Sequence, residues 1–161
     1  MKTHPSRFHL ATAAQRARIV DTLDPFTRAY LVAALWSSAD DAGEPLDREY
    51  SLSDYHASAL ASAIYDCKRF QREHAAALAG WLPGNAGADL WLVRNGFLAG
   101  FWREMAGDEE GKGNGESARH LTGAARMLGA VNAEVGSDGA IHLDRENEFW
   151  QQGARARSVA A

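Results

Sequence analysis

A chain of 161 residues suits one domain with a hydrophobic core of its own, since domains are most often about 100–150 residues long. Hydrophobic residues make up 46% and charged residues 24%, an ordinary globular mixture, and no apolar run approaches the roughly 20 residues of a membrane span. The net charge of −4 argues against nucleic-acid binding driven by charge alone, and the single cysteine, Cys67, has no partner for a disulfide within the chain.

Two helices are predicted before residue 38. The first covers residues 8–23 and falls within an N-terminal extension, residues 1–23, because its apolar residues have rough helical spacing. The second begins at Asp24-Pro25, where an aspartate suits the N-cap and a proline the first helical position. It runs to about Ser37 and is apolar nearly all round, which is typical of a helix buried in the centre of a domain.

An acidic stretch follows, residues 40–54, with six carboxylates and one arginine. Its Asp, Gly and Pro residues predict a loop, and Pro45 together with the absent final glutamate argues against an EF-hand calcium site. Two interpretations remain open: a solvated loop, or an anionic patch that binds a basic partner. The carboxylates that would contact this partner are Asp40, Asp41, Glu44 and Asp47.

The longest predicted helix covers about residues 54–79. It starts at Ser51-Leu52-Ser53-Asp54, a capping-box pattern, and its apolar residues repeat about every 3.5 positions until Gly80. Cys67 and His74 lie on that apolar stripe, so we interpret them as a core cysteine and a hydrogen-bonded core histidine rather than as ligands or nucleophiles.

Residues 90–101 are predicted to form a β-hairpin. Asn95-Gly96 favours a two-residue type I′ turn, which would place Trp91 opposite Gly100 on antiparallel strands. Both faces are apolar; one must pack on the helices, and the other is either covered as well or free to bind a partner. The residues that would bind a partner here are Arg94, Phe97, Trp102 and Arg103, whereas Trp91 and Phe101 are interpreted as core.

The remaining segments complete the predicted architecture. Residues 106–116 form a glycine-rich charged insert without a phosphate-loop pattern, and a helix covers about residues 117–128. A second hairpin then turns at Ser137-Asp138-Gly139. We therefore expect one α+β domain over residues 24–143, with helices packed on an antiparallel sheet of about four strands, and a C-terminal tail over residues 144–161.

The first predicted hairpin reads WLVRNGFLAGFW over residues 91–102 and resembles the motif WLxRNGxxAGFW of an uncharacterised protein family. The family consists of small proteins encoded by phages, prophages and conjugative plasmids, and the resemblance covers about residues 24–143. The family often has His, Gly and Asp where this chain has Phe97, Leu98 and Arg103. These aromatic and basic replacements fit a contact surface better than a reactive site.

Patterns that carry chemistry are otherwise scarce. The six histidines form no His-x-x-x-His or Cys/His cluster, and the chain has no Gly-x-Ser-x-Gly nucleophile elbow. Its carboxylate pairs lie in polar segments, where solvated surface is the usual interpretation. We therefore expect no catalytic residue, metal ligand or cofactor, while an active site assembled from distant residues remains the lowest-ranked hypothesis.

Three features favour a non-enzymatic accessory protein: the resemblance, the small acidic domain and the lack of catalytic signatures. The preferred hypothesis is a protein of a mobile element that binds and inhibits a host protein in the bacterial cytoplasm. An anti-CRISPR or other anti-defence inhibitor is its concrete form, in which the acidic loop competes with nucleic acid for a basic groove. The alternative is a nucleic-acid-binding module that uses the aromatic residues of the hairpin, with its flanking arginines, and the N-terminal arginines. We expect no membrane partner, and the sequence indicates neither the target nor the oligomeric state.

Overall fold

The computed structural model describes residues 12–101 and 115–145. Helices and a two-stranded antiparallel sheet occur together in these ranges, so the predicted mixed α+β class is confirmed. The helices are α1 (Ala13–Asp21), α2 (Pro25–Ser37), α3 (Ala57–Glu73), α4 (Ala75–Leu78), α5 (Pro83–Arg94) and α6 (Gly115–Met127); the strands are β1 (Val131–Val135) and β2 (Ile141–Arg145). Two 3₁₀ turns, Leu46–Arg48 and Leu52–Asp54, connect α2 to α3.

Helices α2 and α5 pack closely at the centre of the domain. The start of α2 is as predicted: the N–H of Thr27 donates to Asp24 Oδ1 at 2.6 Å, and Pro25 occupies the first turn. Gly87 on α5 lies directly against the α2 backbone, since a Cβ there would be 2.0 Å from a carbonyl oxygen. The rings of Tyr30 and Trp91 meet edge to face at 5.2 Å between centroids, and both side chains are buried. The prediction that Trp91 belongs to the core is confirmed.

The longest predicted helix is interrupted at both ends. Its expected start is a 3₁₀ turn capped by Ser51 and Asp54, after which the chain extends to form a parallel bridge between Tyr55 and Ile141. Helix α3 ends before His74, whose backbone leaves the helical region at φ −119° and ψ 26°, and α4 follows as a separate short helix. The continuous helix over residues 54–79 was therefore wrong at its ends, because tertiary pairing and a helix break override the apolar repeat.

The predicted hairpin at residues 90–101 was also wrong, since residues up to Arg94 belong to α5. Asn95 caps this helix and Gly96 has φ +78°. The N–H of Gly96 donates to the carbonyl of Val93 at 3.2 Å, and that of Phe97 to the carbonyl of Leu92 at 2.8 Å. These two bonds form a Schellman motif, so Asn95-Gly96 ends a helix rather than reversing a hairpin.

The second predicted hairpin is confirmed. Strands β1 and β2 pair antiparallel, with Val131 opposite Arg145 and Val135 opposite Ile141, and Gly139 in the turn has φ +76°. Val131 and Ile141 are buried, and the N–H of His56 donates to the carbonyl of Ile141 at 2.8 Å, which joins the hairpin to the start of α3. The described chain thus contains this one hairpin rather than the expected two.

Several predictions fall partly outside the described ranges. Helix α6 matches the helix expected over residues 117–128, and α1 covers part of the one expected over residues 8–23. Most of the glycine-rich insert, the tail beyond residue 145 and two predicted contact residues, Trp102 and Arg103, lie outside the described residues.

Candidate functional site

Arg94, a predicted contact residue, is buried and held on all sides within the domain. Its Nη1 donates to Asp66 Oδ2 at 3.1 Å and to the hydroxyl of Tyr30 at 2.8 Å. Its Nε donates to the carbonyl of Gly129 at 2.8 Å, and its Nη2 to that of Leu128 at 3.3 Å. The assignment of Arg94 to a partner surface was therefore wrong, because the last turn of α5 directs this side chain inward rather than onto a strand face.

Asp66 on α3 joins two arginines of very different exposure. Besides Arg94, whose side chain is fully buried, it binds Arg145 on β2 at 2.6 Å, and 51% of the Arg145 side chain is exposed. Burial raises the pKa of Tyr30 strongly even though the neighbouring Arg94 cation lowers it, so the phenol stays neutral and accepts from Arg94. This network ties α2, α3, α5 and β2 together and has a structural role.

The acidic loop that follows α2 is well ordered by its own side chains. Asp40 Oδ1 accepts hydrogen bonds from the N–H groups of Ala42 and Glu44, both at 2.9 Å, and a bridge between Ala39 and Pro45 closes the loop. Glu44 also forms an ion pair with Arg48. Asp41 and Asp47 are exposed, like Glu44, so three of the four predicted contact carboxylates lie at the surface.

This loop faces the second hairpin across a groove of about 620 Å³, which we call the acidic groove. Its walls come from the loop, from the ring of Tyr50 and from the end of β1 with the turn after it; they are Ala39, Asp40, Asp41, Ala42, Tyr50, Glu134, Val135, Gly136 and Ser137. The structure thereby brings Asp40 and Asp41 together with Glu134, a carboxylate that the sequence reasoning missed. Glu44 and Asp47 do not line the groove.

The pKa of Glu134 reflects the negative charge that surrounds it. A hydrogen bond with the carboxylate of Asp144 raises the pKa of Glu134, and partial desolvation and the charge of Asp41 add to the effect. The two side chains lie on neighbouring strands, since Glu134 pairs with His142 and Asp144 with Asn132. Their diagonal position on one face follows from the alternation of strand residues, a signal that the predicted hairpin already contained.

The exposure of the apolar side chains agrees with some of the predictions and not with others. Phe97 lies just after the helix cap and is 54% exposed, while Phe101 is buried and confirms its assignment to the core. Helix α2 is not buried all round, because Val32 and Trp36, one turn apart, are 43% and 44% exposed. Phe97 as a partner contact stays a prediction.

Two histidines contact each other at the C-terminal end of α3. His74 Nδ1 and His120 Nε2 share a hydrogen bond at 2.9 Å, and the His74 ring lies over Phe70 at 4.7 Å between centroids. Desolvation and the neighbouring His120 lower the pKa of His74. His74 is thus half-buried and paired at the surface rather than a core residue, whereas Cys67 is fully buried as predicted, and burial raises the pKa of its thiol.

A second histidine pair stabilises the hairpin. The rings of His56 and His142 stack at 4.7 Å, and His142 Nε2 binds the carboxylate of Asp138 at 2.9 Å, which lowers the pKa of Asp138. His56 Nδ1 accepts from the N–H of Ser58 at 3.2 Å and lies 2.7 Å from its hydroxyl oxygen. Because His56 caps α3 in this way, its contact with Ser58 is accounted for by the helix start.

The described ranges contain neither a preassembled group of metal ligands nor a helix that could span a membrane. No three His, Cys, Asp or Glu side chains within residues 12–101 and 115–145 are placed to hold a metal ion. None of the helices in those ranges combines the length and the apolar character needed to cross a bilayer.

The chain matches no protein-family model, no curated protein and no solved structure.

Proposed function

We propose that this protein is a non-enzymatic binding module whose acidic groove docks a basic surface of a target protein. The observation that carries the proposal is the convergence of carboxylates from two segments distant in the sequence. Asp40 and Asp41 come from the loop after α2, Glu134 comes from β1, and all three line one groove. A solvated loop, the other interpretation of the acidic stretch, does not require this facing wall.

The charge distribution favours a cationic partner. Glu134 and Asp144 are close enough to share a hydrogen bond, and this crowding raises the pKa of Glu134. A lysine or arginine side chain entering the groove relieves that repulsion and gains charge-assisted hydrogen bonds to the carboxylates that line it, such as Asp41 and Glu134. Nucleic acid is disfavoured here, because phosphates would meet carboxylates of the same sign.

A basic protein that itself binds nucleic acid is the class of target that fits best. By covering its basic nucleic-acid-binding surface, the acidic groove would compete with the nucleic acid, and close charge pairs of this kind raise association rates and specificity. The resemblance to phage and plasmid proteins makes a host defence complex in the bacterial cytoplasm the concrete form of this proposal. Inhibition then follows from occupancy and needs no reaction.

The alternative, a nucleic-acid-binding module, depended on a hairpin with exposed aromatic residues, together with the N-terminal arginines. Residues 90–94 are helical, and Trp91, Arg94 and Phe101 are buried. Of the hairpin side chains named for that hypothesis within the described ranges, Phe97 is exposed; the N-terminal Arg18 and Arg28 are exposed as well, but they lie on other helices. The acidic groove therefore provides the stronger basis.

The proposal is tested by capturing a target and measuring its affinity for charge variants. Wild-type protein is immobilised, exposed to bacterial lysate, and washed at about 50 mM and then 500 mM salt, where screening weakens exposed charge pairs. Binding of the purified target is then titrated with wild type, with Asp41→Lys combined with Glu134→Lys, and with a control, Asp21→Lys, on the exposed end of α1.

We expect a nucleic-acid-binding protein that the high-salt wash releases, that competes with its own nucleic acid, and that loses at least about tenfold affinity with the groove variant. The Asp21→Lys control should bind within about twofold of wild type, since an exposed charge outside the interface contributes little to affinity. A target that binds the groove variant and wild type equally, or no retained protein at all, contradicts the proposal.

A further inference from the structure

A second groove, of about 410 Å³, lies where α3 breaks and α6 passes. It is lined by two imidazoles and two carboxylates together with small residues: Glu73, His74, Ala76, Ala77, Glu116, Ser117 and His120. It shares no lining residue with the acidic groove. Its chemistry is therefore independent of the proposed function.

The two imidazoles have the spacing of metal ligands. His74 Nδ1 and His120 Nε2 are 2.9 Å apart, and the two ring planes make an angle of 64°. Two nitrogens that each bind the same ion at about 2.0–2.1 Å lie about 2.9–3.4 Å apart for angles between roughly 90° and 110° at the metal. Because hydrogen-bonded nitrogens point at each other, each ring must tilt by about 35–45° before both nitrogens point at one ion beside the line that joins them.

The local backbone fixes His74 in this position. The N–H of His74 donates to the carbonyl of Phe70 at 3.0 Å, which ends α3, and the imidazole is supported from below by the Phe70 ring. A ligand whose rotamer is held by packing loses little entropy when it binds an ion.

Glu116 supplies a third donor from the helix that carries His120. The two residues are four positions apart on α6, so their side chains lie on the same helix face one turn apart, the spacing that metal-binding helices use. Glu116 is exposed and free to change rotamer, whereas Glu73 is engaged with Arg69 at 2.8 Å. Since no third ligand is in place among the described residues, rotation of Glu116 is required for three protein ligands.

We propose that His74, His120 and Glu116 form a binding site for a divalent transition-metal ion of the Zn²⁺ or Ni²⁺ type, with water completing the coordination. Imidazole nitrogen donors select these ions over Mg²⁺ and Ca²⁺, which prefer oxygen ligands. Because His74 and His120 are 46 positions apart, the ion links the junction of α3 and α4 to α6. Because the ion binds the folded state and not the unfolded state, it raises the melting temperature of the protein by mass action.

The experiment uses the full chain without a histidine tag, after treatment with a chelator. ZnCl₂ and MgCl₂ are titrated by calorimetry at about pH 7.5, and Co²⁺ is added separately to record its visible absorption, which reports the ligand geometry. The variants are His120→Ala, Glu116→Gln and, as a matched control from the other histidine pair, His142→Ala.

We expect one saturable Zn²⁺ site, no Mg²⁺ binding, and a higher melting temperature with Zn²⁺. His120→Ala, at an exposed position, should lose at least about tenfold in affinity, Glu116→Gln a smaller but measurable amount, and His142→Ala nothing. No saturable binding up to about 1 mM Zn²⁺, or equal binding by wild type and His120→Ala, overturns the site. An unchanged affinity in Glu116→Gln overturns the assignment of the third ligand.

Discussion

Two arginines bind the same carboxylate, and their different burial predicts very different costs of removal. Arg94 is fully buried and donates four hydrogen bonds, so Arg94→Ala leaves the buried Asp66 carboxylate without its inner partner and two carbonyls without a donor. Breaking a buried ion pair on one side costs about 3–5 kcal/mol. The Arg145 side chain is 51% exposed, so Arg145→Ala should cost at most about 1 kcal/mol.

The free energy of unfolding is measured by urea denaturation at pH 7 for wild type and both variants. Because total stability is about 5–15 kcal/mol, Arg94→Ala should lose a large share of it. A third variant, Arg94→Met combined with Asp66→Leu, removes both charges and should be more stable than Arg94→Ala. An Arg94→Ala variant that is as stable as Arg145→Ala would refute the structural role assigned to the buried pair.

Three further predictions concern stability. Gly87→Ala places a Cβ 2.0 Å from the α2 backbone and should cost about 1–3 kcal/mol in thermal melts, whereas Gly123→Ala on α6 meets no atom within 4 Å and should gain about 0.5–1 kcal/mol. Asp24→Ala should cost about 1 kcal/mol at pH 7, a loss that shrinks as the pH falls through the lowered pKa of Asp24; an equal loss at every pH contradicts this. Glu134→Gln removes the repulsion from Asp144, so it should stabilise the fold at pH 7 and have little effect below the raised pKa of Glu134, as denaturation at both pH values will show.

The elements that the sequence predicted well are those whose local signals have one structural meaning. Asp24-Pro25 combines an N-cap with a proline whose missing N–H costs nothing, and the structure places both at the start of α2. Alternating apolar residues on either side of Ser137-Asp138-Gly139 predicted the hairpin, and its glycine has the positive φ that such a turn requires. In both cases tertiary packing reinforces the local preference.

The wrong hairpin shows what happens when one signal fits two structures. Asn95-Gly96 supplies a residue with positive φ, which a type I′ turn and a helix C-cap both need. Residues 86–94 are buried on every side against α2 and neighbouring helices, so they lack the one-sided apolar pattern that would identify a helix. The discriminating signal is Pro83, which occupies the first turn of α5, a position that suits proline.

The sequence indicated each wall of the acidic groove separately but not that the two walls lie together. Their proximity depends on tertiary contacts outside the groove. The acidic composition of residues 40–47 indicated one wall, and the alternation along β1 and β2 placed Glu134 and Asp144 together on the outward face. The hairpin is held beside α3 by two contacts: the bridge of Ile141 with Tyr55, just before α3, and the ion pair of Arg145 with Asp66 on α3. The buried network around Asp66 thereby holds β2 in place, and β2 pairs with β1, which carries Glu134. The fold tolerates the repulsion between Glu134 and Asp144 because the ion pair of Arg145 and the bridge at Ile141 fix the two strands.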